Sequence, residues 1–206
     1  MCDAFDKAAP NWDANPVRAA MADAFSREIR RLVAIHDDWD ALEFGCGTGL
    51  AGLKLAPLTA SLTMADASEA MLTKLRDKLS ESEYDNVRLL HVKNGSLPFP
   101  DDSFDLVFTH MALHHVDDVE GMLKEFMRTL RPGGYAVACD LVAEDGSFHG
   151  DIPAPHNGFN LGELQGLFSR VGFAASETRL HHAVRKPGPD GEVRRYPQFI
   201  LAARKS

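Results

Sequence analysis

The stretch ALEFGCGTGLAG, residues 41–52, decides the fold. Apolar residues surround an acid, Glu43, and glycines follow at 45, 47 and 49. The apolar run reads as a short buried parallel strand, and Leu50 to Leu55 read as the start of a helix. Between them the glycines let the chain turn tightly and lie flat against a ligand, since no Cβ intrudes. A strand–turn–helix unit of this kind holds adenosine-containing cofactors at the carboxyl ends of strands in doubly wound sheets.

The run has two parses. Gly47, Gly49 and Gly52 satisfy GxGxxG, the nicotinamide and flavin fingerprint, which alone is a weak signal. Gly45, Gly47 and Gly49 satisfy GxGxG, with Glu43 two residues ahead. An acid there suits a ligand bearing positive charge, such as the ammonium and sulfonium of S-adenosylmethionine. It is a poor neighbour for a pyrophosphate, which wants backbone N–H donors and the positive end of a helix. The methyl-donor parse is therefore preferred over the dinucleotide one and over an ordinary glycine-rich turn.

Composition narrows the class. The 206 residues fit one domain, and 45% hydrophobic content supplies a substantial core. No long apolar span and no hydrophobic signal region at MCDAFDKAAP are present, so no membrane insertion and a cytoplasmic location are expected. Cys2, Cys46 and Cys139 are far apart and lack zinc-ligand spacing, so they read as reduced thiols, with Cys46 a small residue in the glycine turn. A net charge of −8 without a basic cluster argues against nucleic acid as a partner.

Helices and strands alternate along the chain. Asn15-Pro16 is an N-cap and first-turn pair opening a helix with Val17, Met21, Phe25, Ile29 and Val33 on one face. Ser61 to Ala65 form a second strand ending in Asp66, and Ser68 caps a helix that buries Met71, Leu72, Leu75 and Leu79. Strands follow at Val87 to Val92 and Asp105 to Thr109, then a helix at Val119 to Leu130. Arg131-Pro132-Gly133-Gly134 stops that helix, and Tyr135 to Leu141 form a fifth strand. Asn160 and Glu163 resemble a capping box for a helix ending at Gly172. Ser176 to Arg185 and Tyr196 to Ala203 read as an antiparallel hairpin. The predicted class is α/β, doubly wound and mostly parallel, in one domain: residues 1–38 a lid segment and helix, 39–141 a cofactor-binding core, 142–206 a substrate-side loop, helix and hairpin.

Asp66 sits at the second strand's end, 17 residues after Gly49, where an acid accepts hydrogen bonds from both ribose hydroxyls of an adenosine. Taken together, ALEFGCGTG, ADASEAML, LPFPDDSFDLVFTHMALHHV and LRPGGYAV closely resemble the class I S-adenosylmethionine-dependent methyltransferases. The similarity is to the small-molecule branch that includes ubiquinone and menaquinone biosynthesis methyltransferases, and it covers about Trp39 to Asp140. It implies a seven-stranded sheet of order 3-2-1-4-5-7-6, with the hairpin as the last two strands. It implies S-adenosyl-L-methionine as cofactor and S-adenosyl-L-homocysteine as product, with Glu43, Gly45 and Gly47 along the methionine and ribose, Asp66 on the ribose, and Ala67 and Met71 near the adenine. Phe5 to Asp13 (FDKAAPNWD) resembles the segment that closes over the cofactor in such enzymes. Trp12 would then cover the methyl-transfer region, and Arg18 would pair with the methionine carboxylate.

One departure stands out. Where these enzymes usually carry Asp-Ala after the third strand, this chain has Val92-Lys93-Asn94-Gly95-Ser96; the Asn94 amide could accept from the adenine amine, with Gly95 beside it. Thr109-His110-Met111-Ala112 follows the fourth strand, where methyl group and acceptor should meet, without the Asn-Pro-Pro-Tyr pattern of amino-group methyltransferases. His114 and His115 next in line read as helix-start packing before catalysis, and His181-His182 as surface strand. The long loop Ala143 to Asn160 holds His149 and His156, which with Asp140 and Asp151 could form a base–carboxylate pair or a metal site; the spacing carries no zinc signature, and no metal is expected. His149 is the preferred general base for a hydroxyl or phenol acceptor, with His156, His115 or no base at all as the alternatives. The expected function is methyl transfer to a small molecule. The alternatives are a non-catalytic binder of the cofactor or its product and, less favoured, a nicotinamide-dependent oxidoreductase.

Overall fold

In a computed structural model the described residues are 2–92, 96–149, 154–174, 176–188 and 190–206. Seven strands form one sheet: β1 (Asp40–Phe44), β2 (Ser61–Asp66), β3 (Val87–His91), β4 (Phe104–His110), β5 (Leu130–Leu141), β6 (Ser176–Pro187) and β7 (Val193–Arg204). Their order is β3-β2-β1-β4-β5-β7-β6, as the sequence implied. The first five run parallel to one another, while β7 runs antiparallel to both β5 and β6. β1 carries almost nothing but buried side chains because both faces of the sheet are covered.

Helices α1 (Cys2–Ala8), α2 (Pro16–Leu32), α3 (Glu69–Ser80), α4 (Val119–Thr129) and α5 (Leu161–Val171) supply the covers. On one face Phe25 and Ile29 of α2 and Leu72 and Leu75 of α3 pack on Leu62, Leu106 and Phe108. On the other, Leu123 and Phe126 of α4 and Leu164 and Phe168 of α5 pack on Leu42, Val107 and Leu201. The caps expected from sequence are present. Asn15 accepts from Val17 N at 3.0 Å, Ser68 from Met71 N at 3.1 Å, and Asn160 from Gly162 N and Glu163 N at 3.0 and 3.2 Å. Gly172 closes α5 in the left-handed conformation at φ 112°.

Three local expectations need correction. Leu50 to Leu55 do not begin an α-helix: the chain makes two 3₁₀ turns, Gly52–Lys54 and Ala56–Leu58, closed by Leu55 N to Gly52 O at 2.8 Å and Leu58 N to Leu55 O at 2.9 Å. Gly49 at φ 85° and Pro57 punctuate the stretch and prevent a continuous i→i+4 ladder. Second, Arg131 to Gly134 do not separate helix from strand. α4 ends at Thr129 and β5 begins at once, with Arg131 tied to Asp40 at 2.9 Å and Asp105 at 2.5 Å across the sheet's amino end. Third, His114 and His115 lie not at a helix start but in an isolated 3₁₀ turn, Leu113–His115. No helix among the described residues is long and apolar enough to cross a membrane.

Candidate active site

A cavity of about 1050 Å³ opens beyond the carboxyl ends of β1, β2 and β4, with Val184 and Lys186 of β6 on its wall and the N-terminal segment as its roof. That is room for a nucleoside-sized cofactor and a second small molecule side by side.

The cofactor half starts from the glycine turn. Gly45 N and Cys46 N donate to Ala65 O at 2.8 and 3.0 Å, which locks the turn to the end of β2. Gly45 takes φ 73°, and a Cβ there would fall 2.3 Å from the Ala112 Cβ, so only glycine fits. Above Gly47 the space is open: the nearest atom to a Cβ built there is Trp12 Nε1 at 4.0 Å.

Glu43 reaches into this half from β1. It is 1% exposed, it lines the cavity, and its Oε2 has no hydrogen-bond partner among the described residues. Burial pushes its carboxyl well above the usual range, the Asp66 charge pushes it further, and the Gly52 backbone N–H alone pulls the other way. A buried acid in this state is costly unless a cation meets it. Asp66 caps the neighbouring strand. Its Oδ2 accepts from Gly47 N at 2.6 Å and its Oδ1 from Ser68 N at 2.8 Å, while burial raises its pKa. Two carboxylates on adjacent strands thus face one cavity, one bound to the backbone and one with a vacant acceptor.

The remaining residues singled out from sequence divide clearly. Cys46, Ala67 and Met71 line the cavity, and burial pushes the Cys46 thiol well above its usual range, so it stays protonated. Gly49 does not: its α-carbon faces inward, where a Cβ would meet Leu75 Cδ1 at 2.6 Å. Thr109 is fully buried and also outside the lining. Asn94 and Gly95 lie outside the described residues. Trp12 and Arg18 line the cavity, but Arg18 Nη1 donates to Trp12 O at 3.0 Å and its guanidinium lies 3.6 Å from the Trp12 ring centre. The roof is fastened by two acid–hydroxyl contacts: Ser68 Oγ donates to Asp6 and Thr48 Oγ1 to Asp13, each at 2.5 Å, and Lys78 pairs with Asp13 at 2.5 Å.

The geometry disposes of the dinucleotide parse. Gly49 and Gly52 both face the protein interior, and a Cβ on Gly52 would overlap Glu43 Oε2 at 2.1 Å. Two three-residue 3₁₀ turns follow, so the chain offers no α-helix N-terminus to a pyrophosphate there.

The other half of the cavity gathers three histidines. His114 is buried at 1% exposure with Asp140 at 0%, and its Nδ1 lies 2.6 Å from Asp140 Oδ1. Asp140 also accepts from His114 N and Leu141 N at 3.1 and 2.7 Å. His114 Nε2 lies 2.9 Å from His149 Nε2, and His115 stands against both, with ring centres 4.0 and 5.3 Å away. Phe5 of α1 meets the His115 ring edge-on at 4.9 Å. Burial lowers His149 to about 4 and His115 to about 3, so both rings are neutral near pH 7. Sequence reasoning paired His149 with nearby acids, and the link to Asp140 runs through His114, which it had assigned to packing. The signal available was sheet order: β4 and β5 are neighbours, so the loop after one must meet the acid ending the other. His156 is set aside, its Nε2 3.0 Å from Val116 O and its ring packed on Phe159. Asp151 lies outside the described residues. Phe148 and Lys186, which sequence reasoning missed, complete this half.

Residues 42–138 match the methyltransferase domain family, and the whole sheet has the architecture of a class I S-adenosylmethionine-dependent methyltransferase. Among curated proteins, the chain is 31% identical over 141 residues to the demethylmenaquinone methyltransferase of Listeria monocytogenes. That alignment takes in 66% of this chain, which spans 60% of the length of the relative. Among solved structures, a methyltransferase of Haloferax volcanii in complex with the Trm112 methyltransferase activator superposes with a TM-score of 0.80 at 19% identity, covering 97% of this chain and 96% of that one. A SAM-dependent methyltransferase from Aquifex aeolicus gives 0.72 at 18% identity, with 98% of each chain covered.

Proposed function

We propose that the protein transfers the methyl group of S-adenosylmethionine to a small aromatic acceptor. The observation that carries the reading is Glu43: a buried carboxylate with a vacant oxygen, in one cavity with Asp66, is the complement of a ligand with a cationic amino-acid end and a ribose. In this reading the ammonium sits at Glu43, the ribose hydroxyls at Asp66, and the adenine beside Ala67 and Met71. Residues 39–141 hold the cofactor, 142–206 form the acceptor side, and 1–38 close over both.

The acceptor occupies the histidine half. Phe5, Trp12, Phe148 and the histidine rings suit a planar partner, and demethylmenaquinone methyltransferase relatives agree with an aromatic one. The cofactor supplies a methyl carbon activated by its sulfonium, so most of the rate comes from placing the nucleophile in line and excluding water. His149 then takes the acceptor's proton. With His114 Nδ1–H donating to Asp140, its Nε2 accepts from His149 Nε2–H, which leaves the His149 Nδ1 lone pair free. As His149 gains a proton its charge is shared through His114 with the Asp140 carboxylate, whose pKa burial pushes up but the His114 side chain and the Leu141 and His114 backbone N–H donors together hold below its usual range.

Calorimetry with S-adenosylhomocysteine and with NADH tests the cofactor: binding of the first alone is expected, and binding of NADH alone refutes the reading. Transfer of labelled methyl from S-adenosylmethionine to a panel of phenols and quinols, lost in His149→Ala while S-adenosylhomocysteine still binds, tests the acceptor side.

A further inference from the structure

The three histidines have a second property that acid–base chemistry does not require. One ring nitrogen from each of His114, His115 and His149 lies within 4.8 Å of the others, on the wall of the cavity. We propose that this cluster is a binding site for a divalent transition-metal ion, zinc or cobalt, and that the bound ion blocks proton uptake by His149.

Three neutral imidazoles and one open position are the donor set of a tetrahedral zinc site. Two nitrogens on one zinc at about 2.0–2.1 Å stand about 3.3 Å apart, so the 2.9 Å between His114 Nε2 and His149 Nε2 needs only a small opening. His115 must close the larger gap, and its Nδ1 is buried without a hydrogen-bond partner, so no existing bond holds it back. The outer layer is also in place. Asp140 holds His114 by Nδ1, which fixes the ring, directs Nε2 toward the site and offers a buried negative charge against the ion. Lys186, on the same wall, opposes a cation and sets the selectivity toward ions that bind imidazole strongly over magnesium or calcium.

Coordination uses the Nε2 lone pair of His149, so its proton must move to Nδ1, the atom assigned above as the proton acceptor. The ion and the base therefore exclude one another. Only this last step rests on the proposed methyl transfer; the ion binding itself does not.

The test is calorimetric titration of metal-free protein with zinc chloride and cobalt chloride, followed by cobalt visible absorption. One ion per chain is expected, with a four- or five-coordinate cobalt spectrum, and affinity at least about tenfold weaker in His115→Ala and in His149→Ala. His156→Ala serves as the control and should bind as the wild type does, and retained S-adenosylhomocysteine binding certifies the fold of each variant. No binding at a hundredfold excess of zinc, or wild-type affinity in both cluster variants, overturns the site. Zinc should also slow methyl transfer and a chelator restore it; acceleration by zinc would overturn the exclusion while leaving the site. Absent methyl transfer with intact zinc binding would fault the functional reading alone.

Discussion

Replacing Glu43 by Gln should move cofactor affinity and apo stability in opposite directions. The variant keeps the shape of the side chain and removes only the charge. In the free protein that carboxyl has a vacant oxygen, and its burial and the Asp66 charge on the next strand raise its pKa. Removing it relieves desolvation and repulsion, so the unliganded melting temperature should hold or rise. With ligand present, the lost contact is a charge-assisted hydrogen bond to an ammonium, worth about 1.5–3 kcal/mol. At about 1.4 kcal/mol per decade, S-adenosylhomocysteine should bind about 10- to 100-fold more weakly. Calorimetry gives the affinity and scanning fluorimetry the melting temperature on the same preparations. Because Glu43 must ionise to pair, wild-type affinity should also climb as pH rises through its elevated pKa, and the variant should lose that slope. Unchanged affinity together with a melting temperature several degrees lower would refute the reasoning and make Glu43 a structural acid.

Gly52→Ala places a Cβ 2.1 Å from Glu43 Oε2 and 2.6 Å from Met64 Cε, both side-chain ends, so the fold should survive a loss of about 1–3 kcal/mol while cofactor affinity falls as in Glu43→Gln; normal affinity by calorimetry would contradict the assigned Glu43 position. Half-buried His110, in the cavity wall, has its pKa lowered from 6.5 to about 3, chiefly by burial, so between those values the unfolded chain binds the proton that the folded one refuses, and stability falls as pH falls. By pH 5 the His110 share is about 2 kcal/mol, and denaturant melts of wild type against His110→Phe should converge over that range; parallel curves would rule it out. Asp6→Ala with Asp13→Ala removes both acid–hydroxyl fastenings of the roof, so limited proteolysis before Asn15 should quicken, and S-adenosylhomocysteine should protect the wild type more than the variant; equal cleavage in all samples would deny the segment a closing role.

The division between what the sequence disclosed and what it hid follows from the range of each interaction. The caps at Asn15, Ser68 and Asn160 and the pairing of Glu43 with the glycine turn were legible because each is a short-range pattern with one physical solution, while the strand order followed from the family resemblance rather than from any local pattern. The failures were tertiary. Leu50 to Leu55 have a helical apolar spacing, yet Gly52 must pass flush against Glu43 and Met64, a constraint set by strands it is not adjacent to in sequence. Gly49 matched its motif but serves the packing of Leu75, which no spacing rule reveals.

His114 carries the part that local sequence does not disclose. Alone it is a buried histidine after a strand, the ordinary reading for such a residue. Joined to the strand order it becomes something else, since β4 and β5 lie side by side and His110 pairs in register with Cys139. The next residue, Asp140, therefore lies one step beyond that pair, within reach of the turn that carries His114. His149 then needs only the return of the loop toward its own strand end. Asp140 and His149, 26 and 35 residues from His114, are brought to 2.6 and 2.9 Å of it by the parallel pairing of β4 with β5 and the return of the loop after β5, so in a doubly wound sheet the proximity of strand ends is a better guide to a reacting constellation than spacing along the chain.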